Sequence, residues 1–225
     1  MIRHGHPGEW AKVRGTMASL WPVFLCCTAL GACGASLALG RHPAWFALGF
    51  AAVVAATALL WRRGLRRVES YFKGARGEER VAGVLAALPD AWHVFHDFAA
   101  GRHHVDHVLV GPTGVYAVET KNWRGRVTVE RGEVIVGGVL ADRAPLAQAA
   151  RQADAVKAAL KAAGWTGEVA PVLCLASDTF ADGLRTVGRT TVCNAARAVA
   201  WLAGRPGVLS PNEVARLALL METRL

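Results

Sequence analysis

Val105-Asp106-His107-Val108-Leu109-Val110, then Gly111-Pro112-Thr113-Gly114, then Val115-Tyr116-Ala117-Val118-Glu119-Thr120-Lys121 is the stretch whose reading decides the fold. Two β-rich runs flank a strong turn signal, so the segment predicts a hairpin. Folding it about Pro112-Thr113 sets Val110 opposite Val115, Val108 opposite Ala117 and Asp106 opposite Glu119. Opposed residues share a sheet face with Cβ atoms ~5 Å apart, and Lys121, two residues beyond Glu119, shares that face as well. Both faces are otherwise apolar, which marks strands buried on both sides. Two buried, facing carboxylates are costly unless something positive lies between them. Their oxygens suit a hard divalent cation, Mg²⁺ or Mn²⁺, with Lys121 beside it to offset developing negative charge. The bland reading, an ordinary surface ion-pair cluster on a hairpin, stays open from these residues alone.

Working outward, Glu78 falls at helical spacing with Val81, Leu85 and Leu88. It therefore lies on the core-facing stripe of a helix expected over Arg76–Leu88, whereas Glu79 points elsewhere. Further expected elements are a strand at 92–98, a hairpin at 126–136 around Gly132, a helix at 146–163 stopped by Gly164, and strands at 169–176 and 190–193. A helix through Leu202 follows, then a last helix opened by the capping box Ser210-Pro211-Asn212-Glu213. This is one α/β domain assigned to 68–225.

Residues 1–67 read differently. Gly15–Gly40 and His42–Trp61 carry no formal charge, and each run reaches the roughly 20 residues that span hydrocarbon. We expect two transmembrane helices, about 17–40 and 43–61, forming a tight hairpin through Arg41, His42 and Pro43. Arg3, Lys12 and Arg14 before the first run, with Arg62, Arg63, Arg66 and Arg67 after the second, predict a multi-pass protein of the inner (plasma) membrane. Both of its termini are then cytoplasmic. A cleaved signal peptide with its site near Ser36-Leu37-Ala38 is the competing reading. The first run is too long for it, and a second run follows at once.

The composition agrees with this division. The chain is 53% apolar and 19% charged, which excludes a disordered or coiled-coil protein. Its net charge of +9 suggests a nucleic-acid binder, but residues 1–73 hold nine Lys/Arg against two acids. The remainder holds seventeen against fifteen, enough for a local basic patch and no more. No ionisable residue lies within either span, so transport and proton relay are unsupported. Cys26, Cys27 and Cys33 sit in the first span and Cys174 and Cys193 have no partner spacing, so neither a zinc site nor a disulfide framework is expected. Three histidines, His103, His104 and His107, invite a zinc reading, but His107 faces away from His104 and Asp106 on a regular strand.

Gly74-Ala75-Arg76-Gly77-Glu78, then Asp106-His107, then Gly114-Val115-Tyr116 and Glu119-Thr120-Lys121-Asn122-Trp123-Arg124-Gly125 resemble, in order, the motifs of the NERD (nuclease-related domain) family. That family belongs to the PD-(D/E)xK nuclease superfamily. The resemblance implies a restriction-endonuclease-like mixed β-sheet flanked by helices and a Mg²⁺-dependent phosphodiesterase site. By the same resemblance Asp106 and Glu119 are metal ligands, Lys121 is the catalytic lysine, Glu78 is the family's helix glutamate, and Gln148, in Pro145-Leu146-Ala147-Gln148, is an accessory residue. Val105 stands where the superfamily motif has proline, a backbone role. Arg102, Arg124 and Arg126 flank the expected site and are candidates to contact a nucleic-acid backbone, DNA ahead of RNA. Trp123 is a candidate either to stack on a base or to pack in the core. The functional expectation is a membrane-anchored, cytoplasm-facing nuclease in contact with the lipid bilayer. The alternative is an inactive tethered module that binds nucleic acid or protein.

Overall fold

The computed structural model describes residues 1–38 and 43–223. The chain divides into two compact units, one of Met1–Glu9 with Gly74–Leu225, the other of Trp10–Lys73. The boundary read from hydropathy differs, because Met1–Glu9 joins the globular unit through strand β1 (Ile2–His4).

The Trp10–Lys73 unit is helical. Helix α1 spans Glu9–Ala38 and helix α2 spans Pro43–Leu85. Among the described residues one helix segment, Glu9–Ser36, is long and apolar enough to cross a membrane, while Leu48–Arg62 is a shorter apolar stretch. Met17, Leu20, Trp21 and Phe24 are all more than half exposed. Such a run of bare apolar surface is long and apolar enough to cross a membrane by length and composition. The hydroxyls of Thr28 and Ser36 fold back onto the carbonyls of Phe24 and Ala32, at 2.8 and 3.0 Å, so neither depends on water. In the expected tight turn, Arg41 and His42 lie outside the described residues and Pro43 is the first residue of α2. Residues 68–73 are helical as well: no proline interrupts 44–85, so α2 runs on into the segment bearing Glu78.

In the globular unit β2 (His93–Ala100), β3 (His103–Gly111) and β4 (Gly114–Lys121) form a meander, followed by the small strands β5 (Val127–Glu130), β6 (Glu133–Val136) and β7 (Val139–Leu140). Helix α3 (Pro145–Ala162) leads to β8 (Val169–Leu175), β9 (Leu184–Val187), β10 (Thr190–Asn194), α4 (Ala195–Ala203) and α5 (Pro211–Glu222). The main sheet is seven-stranded and mixed, in the order β1-β2-β3-β4-β8-β10-β9. Strand β1 is parallel to β2, β4 to β8 and β8 to β10, while β2–β3, β3–β4 and β10–β9 are antiparallel. Strands β5, β6 and β7 make a separate three-stranded sheet.

The β3–β4 register is the one read from the turn: Val110 pairs with Val115, Val108 with Ala117 and His107 with Val118. Val108, Val110, Val115 and Ala117 pack with Ala153, Val156 and Leu160 of α3. Leu109, Tyr116 and Val118 on the other face pack with Val81 and Leu85 of α2 and Leu202 of α4. Cys174 and Cys193, which no sequence spacing connects, are register partners on β8 and β10 and remain free thiols. Helix α5 starts at the capping box expected for it, Ser210 and Glu213 bonding each other's backbone N–H.

Candidate active site

Strand β4 runs buried from Val115 to Thr120 and surfaces at Lys121. This puts Glu119 at the last fully covered position of its face, 3% exposed, with Lys121 one step nearer solvent. The β3–β4 register ends at the rung His107–Val118, one residue short of Asp106 and Glu119. Thr120 gives its backbone N–H to Asp106 Oδ2 at 2.7 Å, fixing that carboxylate at the strand end.

Glu119 is held from three sides. Lys121 Nζ donates to its Oε1 at 2.5 Å and Gln148 Nε2 donates to the same oxygen at 2.7 Å. Lys121 Nζ also reaches Gln148 Oε1 at 3.2 Å, closing a triangle. Gln152 Nε2 donates to Glu119 Oε2 at 2.5 Å and to the backbone carbonyl of His104 at 2.9 Å. Both of its amide hydrogens are thereby used, and Gln152 Oε1 is left buried with no partner. Gln148 and Gln152 are four residues apart on α3, one face of one helix. Sequence reasoning found the first and passed over the second, though the spacing was available. Both glutamines are brought to the site because α3 is the cover of this sheet face.

Glu78 enters from α2 and is buried, as its stripe predicts, while Glu79 is exposed. A Cβ on Gly77 would lie 2.7 Å from that of Asn122, so only glycine lets this helix approach the segment just past Lys121 so closely. Burial, then the neighbouring Asp97 carboxylate, push the Glu78 pKa up to about 7, with Glu119 adding to the rise; His104 and the Gly8 backbone N–H oppose it. Asp106 is pushed well above the usual carboxylate range, first by burial and then by Glu119 and Glu78, with the Thr120 N–H and Lys121 opposing. Three acids thus crowd one low-dielectric volume with a single ammonium between them.

Asp97 was missed in the sequence. It sits in β2 between His96 and Phe98, which pair with His107 and Val105 of β3, and its carboxylate acts on Glu78. Its Oδ1 pairs with His104 Nε2 at 2.8 Å. His107 lies on the other face, as its position in the strand predicts, and meets His96 Nδ1 to Nδ1 at 2.8 Å in the core. Burial drives the His96 pKa down to about 4 and depresses His107 as well, so both are neutral core groups.

Arg102, Arg124 and Arg126 are exposed and make no described contact with the acids. Arg102 lines a cavity of about 570 Å³ together with His103 and Arg151. Trp123 packs against the cluster of Val127, Phe180 and Val192.

Among the described residues no group of three or more His, Cys, Asp or Glu is close enough to enclose a metal ion. The donor chemistry nevertheless fits Mg²⁺ or Mn²⁺. Mg²⁺ commonly keeps several waters and uses one or two carboxylates, and Asp106 and Glu119 are such a pair. The unsatisfied Gln152 oxygen and the mutual repulsion of the acids are what a missing positive charge would leave. Gln152→Leu strips donors from Glu119 and from the His104 carbonyl. It should cost about 1–3 kcal/mol of unfolding free energy, read by urea denaturation; a loss below ~0.5 kcal/mol would show these bonds to be idle.

A mixed sheet flanked by helices carries, at the end of β4, Glu119 and Lys121 under the glutamine-bearing helix α3, with Asp106 at the end of β3. Residues 73–176 match the family model of the nuclease-related domain, NERD. An uncharacterized protein of Bacillus anthracis is 35% identical over 60 residues, which covers 24% of this chain and 28% of that relative. The chain thus matches under a third of that relative's length. No solved structure matches.

Proposed function

We propose that this protein is a membrane-anchored, cytoplasm-facing, Mg²⁺- or Mn²⁺-dependent nuclease that hydrolyses phosphodiester bonds, in DNA ahead of RNA. The observation that carries the reading is the convergence of Asp106, Glu119 and Lys121 at one strand end, within a matched NERD domain. Asp106 and Glu119 would hold the cation, Gln148 and Gln152 keeping the Glu119 carboxylate in one orientation. When bound, such a cation polarises a phosphoryl oxygen and acidifies a coordinated water. Lys121 Nζ, at the solvent edge of the site, stabilises negative charge that builds on the phosphate. Glu78, half-ionised near neutral pH, is suited to accept a proton there. Arg102, Arg124 and Arg126 supply exposed positive charge for the substrate backbone.

The anchoring part of the reading rests on topology. Strand β1, ahead of the apolar helix, pairs with β2, which follows the whole Trp10–Lys73 unit. If the Trp10–Lys73 unit is in a bilayer, this pairing favours an even number of crossings, with the residues on both sides of the unit on one side of the membrane. With one crossing at Glu9–Ser36, the return falls to the Leu48–Arg62 stretch of α2. The arginine-rich flanks favour the cytoplasmic side for the domain.

The full chain, purified in detergent, is expected to cleave linear, circular or single-stranded DNA with Mg²⁺ or Mn²⁺ and to stop on chelation. Metal-independent binding without cleavage of any DNA or RNA would favour the binding-module alternative. The protein should stay in membranes after carbonate extraction, and protease added to intact cells should leave the domain whole. Digestion from outside would overturn the orientation.

A further inference from the structure

The segment ahead of the apolar helix is wired into the residues around the candidate site. Strand β1 adds to the edge of β2 in parallel, Ile2 with His93, Arg3 with Val94 and His4 with Phe95. His4 stacks on Phe95 with ring centroids 4.3 Å apart. The chain then turns back at Gly8, whose φ is +72° and where a Cβ would lie 2.9 Å from the Ala75 Cα. A side chain there would meet both left-handed strain and backbone, three residues ahead of Glu78. The Glu9 N–H donates to Asp97 Oδ2 at 2.5 Å, and the Gly8 backbone N–H acts on Glu78, holding its carboxyl down against burial. Asp97, held at a positive φ of 54°, carries His104 on its other oxygen and its carboxylate acts on Glu78. A non-glycine residue in that conformation persists only where its surroundings fix it.

We propose that residues Met1–Glu9 form a strap that completes the active site, with the backbone N–H groups of Gly8 and Glu9 positioning Glu78 and the Asp97–His104 pair. The inference rests on the nuclease reading of that site. A short edge strand is among the least stable parts of a domain, so the strap can leave the sheet without the core unfolding.

Glu9 is the first residue of α1, where proline is tolerated, so Glu9→Pro removes its N–H while leaving the helix start intact. Glu9→Ala removes only the side chain. In the full chain Glu9→Pro should fall about 10–100-fold below Glu9→Ala in kcat on DNA, with little change in KM, as for loss of a group that orients site residues. Mn²⁺ affinity by calorimetry should fall in parallel. In an Asp97→Asn background the two Glu9 variants should differ little, since the partner is already altered. Equal turnover and equal Mn²⁺ affinity of Glu9→Pro and Glu9→Ala would overturn the strap. Should Glu9→Pro fail to fold, Asp97→Asn alone decides, a wild-type kcat and Mn²⁺ affinity counting against it. If the unmodified chain cleaves nothing, the nuclease reading falls, and the strap stands or falls on the Mn²⁺ comparison.

Discussion

Glu119→Gln should reduce metal-dependent DNA cleavage by on the order of 10²–10³-fold, the scale seen when one preorganised electrostatic group is removed. The change is nearly isosteric, but it fails chemically in two ways. It deletes a negative charge from the expected cation site. It also presents an NH₂ group to a shell made of donors: Lys121 Nζ and Gln148 Nε2 at one oxygen, Gln152 Nε2 at the other. Whichever way the new amide turns, one of these donors faces another donor, and a buried donor without an acceptor costs about 1–3 kcal/mol. Lys121→Ala should lose cleavage to a similar extent with a smaller effect on Mn²⁺ affinity, because its ammonium group balances charge and is not a ligand. Gel-shift affinity for DNA in the presence of chelator should change little in Glu119→Gln. Cleavage by Glu119→Gln within tenfold of the unmodified chain would remove Glu119 from the site.

Much of this constellation was legible because the interactions that set it are local. Gly111-Pro112-Thr113-Gly114 fixes a hairpin register, and a register fixes which residues share a face. The facing of Asp106 and Glu119, the side taken by Lys121 and the inward position of Glu78 all follow from periods of two and 3.6. Partnerships set by long-range packing were not legible. Asp97 reaches His104 through the β2–β3 pairing, whose turn at Ala100-Gly101-Arg102 carries one weak signal. Strand β1 is three residues long and pairs with a segment some ninety positions away, so no periodicity betrays it. Likewise Cys174 and Cys193 are brought together by parallel pairing that no spacing encodes. The helix limits of the anchor were misjudged because charged residues were read as an end to α2. Charge ends a membrane span, whereas a helix ends at backbone breakers, and 44–85 contains no proline.

The same crowding of acids that suits a cation should make the metal-free domain less stable than it could be, and Asp106→Asn reveals this most directly. Asparagine keeps an oxygen to accept the Thr120 N–H, held at 2.7 Å, while deleting the charge. In chelator at pH 8 the variant should be more stable than the unmodified chain by about 1–3 kcal/mol, the cost of an uncompensated buried polar group. For a domain of this size that amounts to roughly 2–4 °C in melting temperature per kcal/mol. The pH dependence has a definite sign. The Asp106 and Glu78 pKa values are raised in the fold, so the folded chain binds more protons than the unfolded one between the two sets of values. Stability is then lost as pH rises, for Glu78 from about 4.5 to about 7. The advantage of Asp106→Asn should accordingly shrink as pH falls, because protonation of the native carboxyl removes the buried charge. Saturating Mn²⁺ should reverse the order at pH 8, because a cation that binds only the folded state stabilises the unmodified chain and the variant has lost a ligand. Cation binding must also release protons from the raised carboxyl of Asp106, so Mn²⁺ affinity should climb with pH. An Asp106→Asn domain that melts below the unmodified one in chelator at pH 8 would mean that these acids are already neutralised by the protein alone, and the case for a cation at this strand end would lose its electrostatic basis.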